Sequence, residues 1–287
     1  GPVNCRADWP ASHPFNEASV KEETAKTDDK YALRSVSRAL DILHVLGEHS
    51  AEGMTVAELA DSIGVSKSTA FTLLQTLLAR GFIADERLGG SRRYRLGLAL
   101  VHLGDRAAAN TGITQIAMPL LQQLTQETGL TSRLAVLDDG YAVAISRVDA
   151  PGIFRLAGSL GTRELPHCSG VGKALLALLP PARVFQILKR IGMPSRTEHT
   201  ITEPAELVKN LVDVANRGYA FDDEEDNLGV ICVAAAVTDR SGDGVAAISV
   251  TSMKGGRSLE DMHDLGRAVR ASADKISRLL GANIPDA

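Results

Sequence analysis

Aromatic side chains are scarce: tryptophan, tyrosine and phenylalanine together make up 4% of the chain. Any small-molecule pocket is therefore expected to have mainly aliphatic walls. Cysteine is equally sparse. Cys5, Cys168 and Cys232 form an odd, scattered set with no CxxC pair. They provide no disulfide framework, which predicts a reducing, cytoplasmic setting. No apolar run approaches the roughly 18 residues that a membrane-spanning helix needs. The first residues show no basic segment followed by an apolar stretch, so neither a secretory signal nor a membrane partner is expected. Basic residues are not in excess either, and the formal net charge is −4. Indiscriminate nucleic-acid binding is excluded on that ground, and any DNA contact must come from a local patch.

Catalytic signatures are missing as well. Gly172-Lys173 is followed by Ala174, and His167 stands where a phosphate-binding loop needs its first glycine. No GxSxG nucleophile elbow occurs. His167, Cys168, His199 and Asp222 are of metal-ligand type but lack metal-ligand spacing. No catalytic residue, cofactor or metal site is assigned from these patterns.

The chain's length of 287 residues points to two domains. Apolar residues at 44% and charged residues at 23% are ordinary for a globular protein. Residues 1–30 lack apolar periodicity and read as a flexible arm. Order begins near Tyr31. Leu33, Val36, Leu40, Leu43 and Leu46 predict one apolar face of a helix that ends near Gly47. Thr55 and Glu58 form a capping box for a short second helix. Gly64 supplies a turn, and Ser66 caps a third helix over Lys67–Ala79. Two strand-like runs follow, Phe82–Glu86 and Arg93–Leu96, joined across Gly89-Gly90. Helical character returns over Leu98–Thr128, with breaks expected at Asn110–Gly112 and at Pro119.

Beyond Gly129 the pattern changes. Strands are expected over Arg133–Leu137 and Ala142–Val148, around an Asp138-Asp139-Gly140 turn, and over Ile153–Ser159. Helices follow near 170–179, 181–191 and 204–217. Strands are expected near 219–222, 231–238 and 245–252, and a last helix over Leu259–Leu280. The fold class is α+β. An arm (1–30) leads to an all-α winged helix-turn-helix with a wing hairpin (31–97), a linker helix (98–111) and an α/β domain (112–287).

Helix, short helix, glycine turn, helix and glycine-tipped hairpin is the order of a winged helix-turn-helix. Gly64 can take the positive φ that folds one helix across the next. Ser66, Lys67, Ser68 and Thr69 open the third helix, where short hydroxyls, a cation and free N–H groups suit phosphates and base edges of double-stranded DNA. Phe71 and Thr72 extend this face, and Phe71 either packs inward or meets a thymine methyl. Arg87, Arg92, Arg93 and Arg95 form a basic wing with no acid between Arg87 and Arg95, suited to backbone or minor-groove contact.

The residues Arg34-Ser35-Val36-Ser37-Arg38-Ala39-Leu40-Asp41-Ile42-Leu43, Leu59-Ala60, Gly64 to Thr69, Tyr94 to Gly97, Ser169 to Ala177, Arg217-Gly218-Tyr219, Glu224-Glu225 and Ala247 to Val250 together resemble the IclR-type bacterial regulators. The likeness covers about residues 31–281. It implies a GAF-like effector-binding domain, a small organic acid or aromatic catabolite as effector, a pseudo-palindromic operator and self-association as a dimer or tetramer. Residue by residue it implicates Gly170, Val171, Asp222, Cys232, Ser249 and Thr251 in effector binding. The chemistry fits. Backbone N–H groups around Ser169-Gly170-Val171 suit a carboxylate, and Ser249 and Thr251 share one strand face. Asp222 also sits in an acidic run of the kind that is commonly a solvated loop. Two positions depart from the family. Phe71-Thr72 stands where the family often has His-Arg, so operator sequence does not transfer. Ser249-Val250-Thr251 replaces a common Ser-x-Ser and adds a methyl. Two rival readings stay open: an enzyme using Cys168, Cys232 or Ser169 as nucleophile, and a regulator that senses redox through its cysteines.

Overall fold

The computed structural model describes residues 33–49, 53–88, 90–109, 112–151, 158–255 and 257–284. The arm expected over residues 1–30, and most of the strand expected over 153–159, lie outside these residues. The chain divides between Thr111 and Gly112 into two compact units.

The first unit runs α1 (Arg34–Glu48), β1 (Met54–Thr55), α2 (Val56–Ser62), α3 (Lys67–Ala79), β2 (Ile83–Leu88), β3 (Ser91–Leu96) and α4 (Ala99–Ala109). Local chemistry sets the boundaries. The Thr55 hydroxyl accepts from the Glu58 N–H at 3.3 Å, and the Glu58 carboxylate accepts from the Thr55 N–H at 2.7 Å. Both halves of the capping box close, each satisfying an N–H with no partner inside the helix. Gly64 has φ +64, the left-handed conformation that turns α2 into α3. Ile42, Leu46, Leu59, Leu74, Leu77, Ile83 and Tyr94 build the core.

The helix α1 buries only the C-terminal part of the expected stripe, Leu46 with Leu43 partly buried beside it. Its buried residues are Ile42 and Leu46, whereas Leu33, Val36 and Leu40 are more than half exposed. Leu40 and Ile42 lie two residues apart, about 200° around a helix, so α1 carries two apolar faces. The strand β1 was not expected. It pairs antiparallel with β3 and completes a three-stranded sheet in the order β1-β3-β2.

The second unit runs α5 (Ile113–Thr128), β4 (Thr131–Asp138), β5 (Tyr141–Val148), β6 (Arg163–Glu164), α6 (Gly170–Leu176), α7 (Pro181–Ile191), α8 (Pro204–Arg217), β7 (Ala220–Asp223), β8 (Val230–Thr238), β9 (Gly244–Met253) and α9 (Leu259–Leu279). Its sheet is antiparallel throughout, in the order β6-β5-β4-β9-β8-β7. Alternation along the strands sends Val233, Ala235, Ile248 and Val250 to the face covered by α5 and α9. Ala234, Ala247 and Ala135 face α6, α7 and α8. Each fully buried leucine, such as Leu124 or Leu211, contributes roughly 2 kcal/mol relative to exposure. The break expected at Pro119 does not occur. Pro119 lies inside α5. It removes one backbone donor, and burial of Ala117, Leu121 and Leu124 against the sheet carries the helix through.

Candidate functional site

Two sites emerge, one in each unit. In the first, the Ser66 hydroxyl caps α3 by accepting from the Thr69 N–H at 3.2 Å. It also lies 2.9 Å from Ser68 Oγ and 2.8 Å from Thr69 Oγ1. Ser66, Lys67, Ser68, Phe71 and Thr72 are exposed, and Thr69 is half-buried. The backbone sets this pattern. Ala70, Leu74 and Leu77 are buried on one side, which turns the hydroxyls, the cation and Phe71 to the other. Phe71 points outward and is 47% exposed. The Thr72 hydroxyl donates back to the Ser68 carbonyl at 3.1 Å.

The wing is less basic than its sequence suggests. Acids of β2 lie beside the arginines of β3. Arg92 Nε meets Asp85 at 2.6 Å, and Arg95 meets Glu86 at 3.0 Å. Arg93 donates to the Gly53 carbonyl at 2.7 Å and stands 4.0 Å from Glu58, so it ties the wing to β1 and α2. Arg87 is exposed and makes no ion pair among the described residues. The acid-free run between Arg87 and Arg95 is real, but antiparallel pairing brings in acids from just before it.

In the second unit the sheet register creates a row. Asp222 of β7 pairs with Cys232 of β8, which pairs with Thr251 of β9. The next row on the same face joins Ala234, Ser249 and Arg133 of β4. Above them lies a cavity of about 280 Å³, lined by Arg133, Glu164, Ser169, Asp222, Cys232 and Thr251 among others. Asp222, Cys232 and Thr251 thus come together as expected. Asp222 is not in a solvated loop. It is buried on β7, and its carboxylate accepts from the Glu225 N–H at 2.9 Å and the Asp226 N–H at 3.3 Å. Burial pushes its carboxyl up to about 7, against the pull of Lys173. Ser249 is fully buried on the same sheet face and does not line the cavity.

Gly170 and Val171 do not line the cavity. Gly170 sits so close to β8 that a Cβ there would stand 3.2 Å from Cys232 Sγ, and Val171 is buried in the core. The Ser169 hydroxyl caps the short helix α6 by accepting from the Gly172 N–H at 3.2 Å. Two charged residues escaped the sequence reading. Arg133 is 6% exposed and meets Glu164 at 2.5 Å. Lys173 is fully buried and forms an ion pair with Glu225. The only sequence signal was Lys173 as a cation inside the otherwise apolar α6. The thiols of Cys168 and Cys232 are buried and free, and burial holds both above the ordinary thiol range.

Ser249 Oγ, Thr251 Oγ1 and Arg133 Nε are buried without a hydrogen-bond partner among the described residues. The Thr251 hydroxyl lies beside the Cys232 thiol. Buried polar groups are normally paired, so this cluster is what a site built to receive a polar ligand looks like. Among the described residues, no group of three or more His, Cys, Asp or Glu could hold a metal ion, and no helix is long and apolar enough to cross a membrane.

Residues 35–87 match the family described as IclR helix-turn-helix domain, and residues 105–278 match bacterial transcriptional regulator IclR C-terminal. The chain is 34% identical over 224 residues to the HTH-type transcriptional regulator BhcR of Paracoccus denitrificans, covering 78% of this chain and 79% of that protein. It is 30% identical over 251 residues to the transcriptional repressor IclR of Escherichia coli, covering 87% and 90%. The crystal structure of the Thermotoga maritima IclR superimposes with a TM-score of 0.72 at 28% identity, covering 86% of this chain and 98% of that one. The helix-turn-helix and the C-terminal domain both match models of one family, and the chain belongs to the IclR family of bacterial transcriptional regulators.

Proposed function

We propose that this regulator binds a pseudo-palindromic DNA operator through α3 and the wing, and that a small organic acid held in the cavity changes its affinity. The observation that carries the reading is one chain holding both an exposed, hydroxyl-rich helix N-terminus and a cavity with partnerless buried polar atoms. Ser66, Lys67, Ser68, Thr69, Phe71 and Thr72 face the major groove. Arg87, with Arg92 beside it, meets the backbone or the minor groove, and Arg93, bonded to the Gly53 carbonyl, holds the wing in place. Asp222, Cys232 and Thr251 contact the effector. Ser249 shapes the site from beside Arg133, and Gly170 and Val171 shape it by packing against β8 and the core.

Self-association as a dimer or a dimer of dimers, in the cytoplasm, belongs to the same reading. The exposed Leu33, Val36 and Leu40, and separately Leu98, Val101 and Leu103, are apolar surfaces that a second copy would cover. Two heads related by a two-fold axis read two half-sites. An effector that favours one arrangement of the heads shifts operator affinity, with coupling of about 1–3 kcal/mol.

The cavity binds and does not catalyse in this account. Of the three candidate nucleophiles, Ser169 is engaged as the cap of α6. Cys168 and Cys232 are held protonated by burial, and a thiol reacts as its thiolate. The same fact speaks against a cysteine-based redox sensor. Footprinting of the chain's own upstream region, with and without small acids, tests the proposal. Salt-sensitive protection of two half-sites that an acid alters is expected. Protection that appears nowhere, or that oxidant alone relieves, would overturn it.

A further inference from the structure

A guanidinium carries two edges for bidentate recognition, and the Nε–H and the Nη2–H share one of them. In Arg133 the other nitrogen, Nη1, is engaged by Glu164 at 2.5 Å. The Nε/Nη2 edge is almost unused. Nη2 has only the Cys232 sulfur at 4.0 Å, and Nε has no partner among the described residues. The side chain is buried and lines the cavity. Ser249, directly across the β4–β9 ladder from Arg133, also has a hydroxyl with no partner. A buried cation with an open fork is costly unless something completes it.

We propose that the Nε/Nη2 edge of Arg133 is the seat of the effector's carboxylate. Glu164 holds the guanidinium in place through Nη1, and Thr251 lies within the same cavity wall. This rests on the small-acid reading and sharpens it. The effector needs a planar carboxylate that accepts two parallel N–H donors, so its amide or alcohol analogue is rejected. Lysine cannot stand in for Arg133, because an ammonium has charge but no fork. The rest of the effector lies toward Cys232 and Asp222, the neutral thiol and the raised carboxyl, a direction that suits hydroxyl or carbonyl groups over a second anion.

The test uses the full-length protein and isothermal titration with pyruvate, glycolate and benzoate, each paired with its neutral amide. At least one acid is expected to bind, and its amide to bind ~30-fold more weakly or worse. Arg133→Lys and Arg133→Gln should each lower affinity for that acid by ~30-fold or more. The double variant R133Q/E164Q removes both charges, so it guards against misfolding from a stranded Glu164, and it should lose the acid to the same degree. Glu164→Gln, which keeps the guanidinium, should still bind. Folded R133Q or R133Q/E164Q that binds the acid within about threefold of wild type would overturn the proposal and leave the small-acid reading standing. Failure of all three acids to bind the wild type would overturn both.

Discussion

Single residues carry most of the chemistry in the second unit, and two of them yield direct tests. Lys173 and Glu225 are buried together, so removing one charge strands the other. Lys173→Met should lower unfolding stability by about 3–5 kcal/mol, and adding Glu225→Gln should recover part of that loss. Urea denaturation of the three proteins checks this, and an unchanged midpoint for Lys173→Met would contradict it. Asp222 gives a pH test. Its carboxyl is raised from 3.8 to about 7, so the folded state holds the proton more tightly than the unfolded state. The resulting stability is full below the unfolded value and is lost as pH rises through about 7. Asp222→Asn escapes that loss while its side-chain oxygen can still accept from the Glu225 and Asp226 N–H groups. The melting-temperature difference, variant minus wild type, should therefore be larger at about pH 8 than at about pH 5. A constant difference would show that Asp222 does not titrate in this window.

Elements separate the residues proposed to touch DNA from those that hold the head together. Lys67 is exposed at the start of α3, and Lys67→Ala should weaken binding across all DNA sequences and reduce the salt slope by about 1. Arg93 is engaged with Gly53, and Arg93→Ala should cost about 1 kcal/mol of stability and leave the salt slope nearly unchanged. Filter-binding titrations at several salt concentrations, with thermal melts, distinguish the two. The helix-turn-helix was legible in the sequence because its boundaries are local chemistry: the Thr55–Glu58 box, the Gly64 turn and the Ser66 cap each act within four residues. What was missed depends on distant partners. The wing's neutralisation follows from cross-strand pairing of β2 with β3. The helix α1 was misread because both of its faces are apolar, and only contact with α3 and β3 decides which is core. Arg133 carried no readable signal because nothing in Thr131-Ser132-Arg133-Leu134 says that helices cover both faces of β4. In the cavity, family likeness named the row Asp222, Cys232 and Thr251, and the antiparallel register supplies the reason they meet. Gly170 and Val171 support that site by close packing.

At the scale of the whole molecule, the claim is that ligand occupancy in the second unit is linked to DNA affinity in the first. Linkage makes the effect reciprocal: an acid that weakens operator binding must itself bind more weakly to the DNA-bound protein, by the same factor. That factor separates a regulator from two unrelated binding modules on one chain, since independent modules give a factor of one. The most direct measurement is a quantitative footprint titration of the full-length protein on its upstream region, run without acid and with the acid selected by calorimetry. The account predicts protection of two half-sites and a midpoint that moves by about fivefold or more when the acid is present, corresponding to at least about 1 kcal/mol of coupling. A midpoint that stays fixed while the acid is shown to occupy the protein would contradict it.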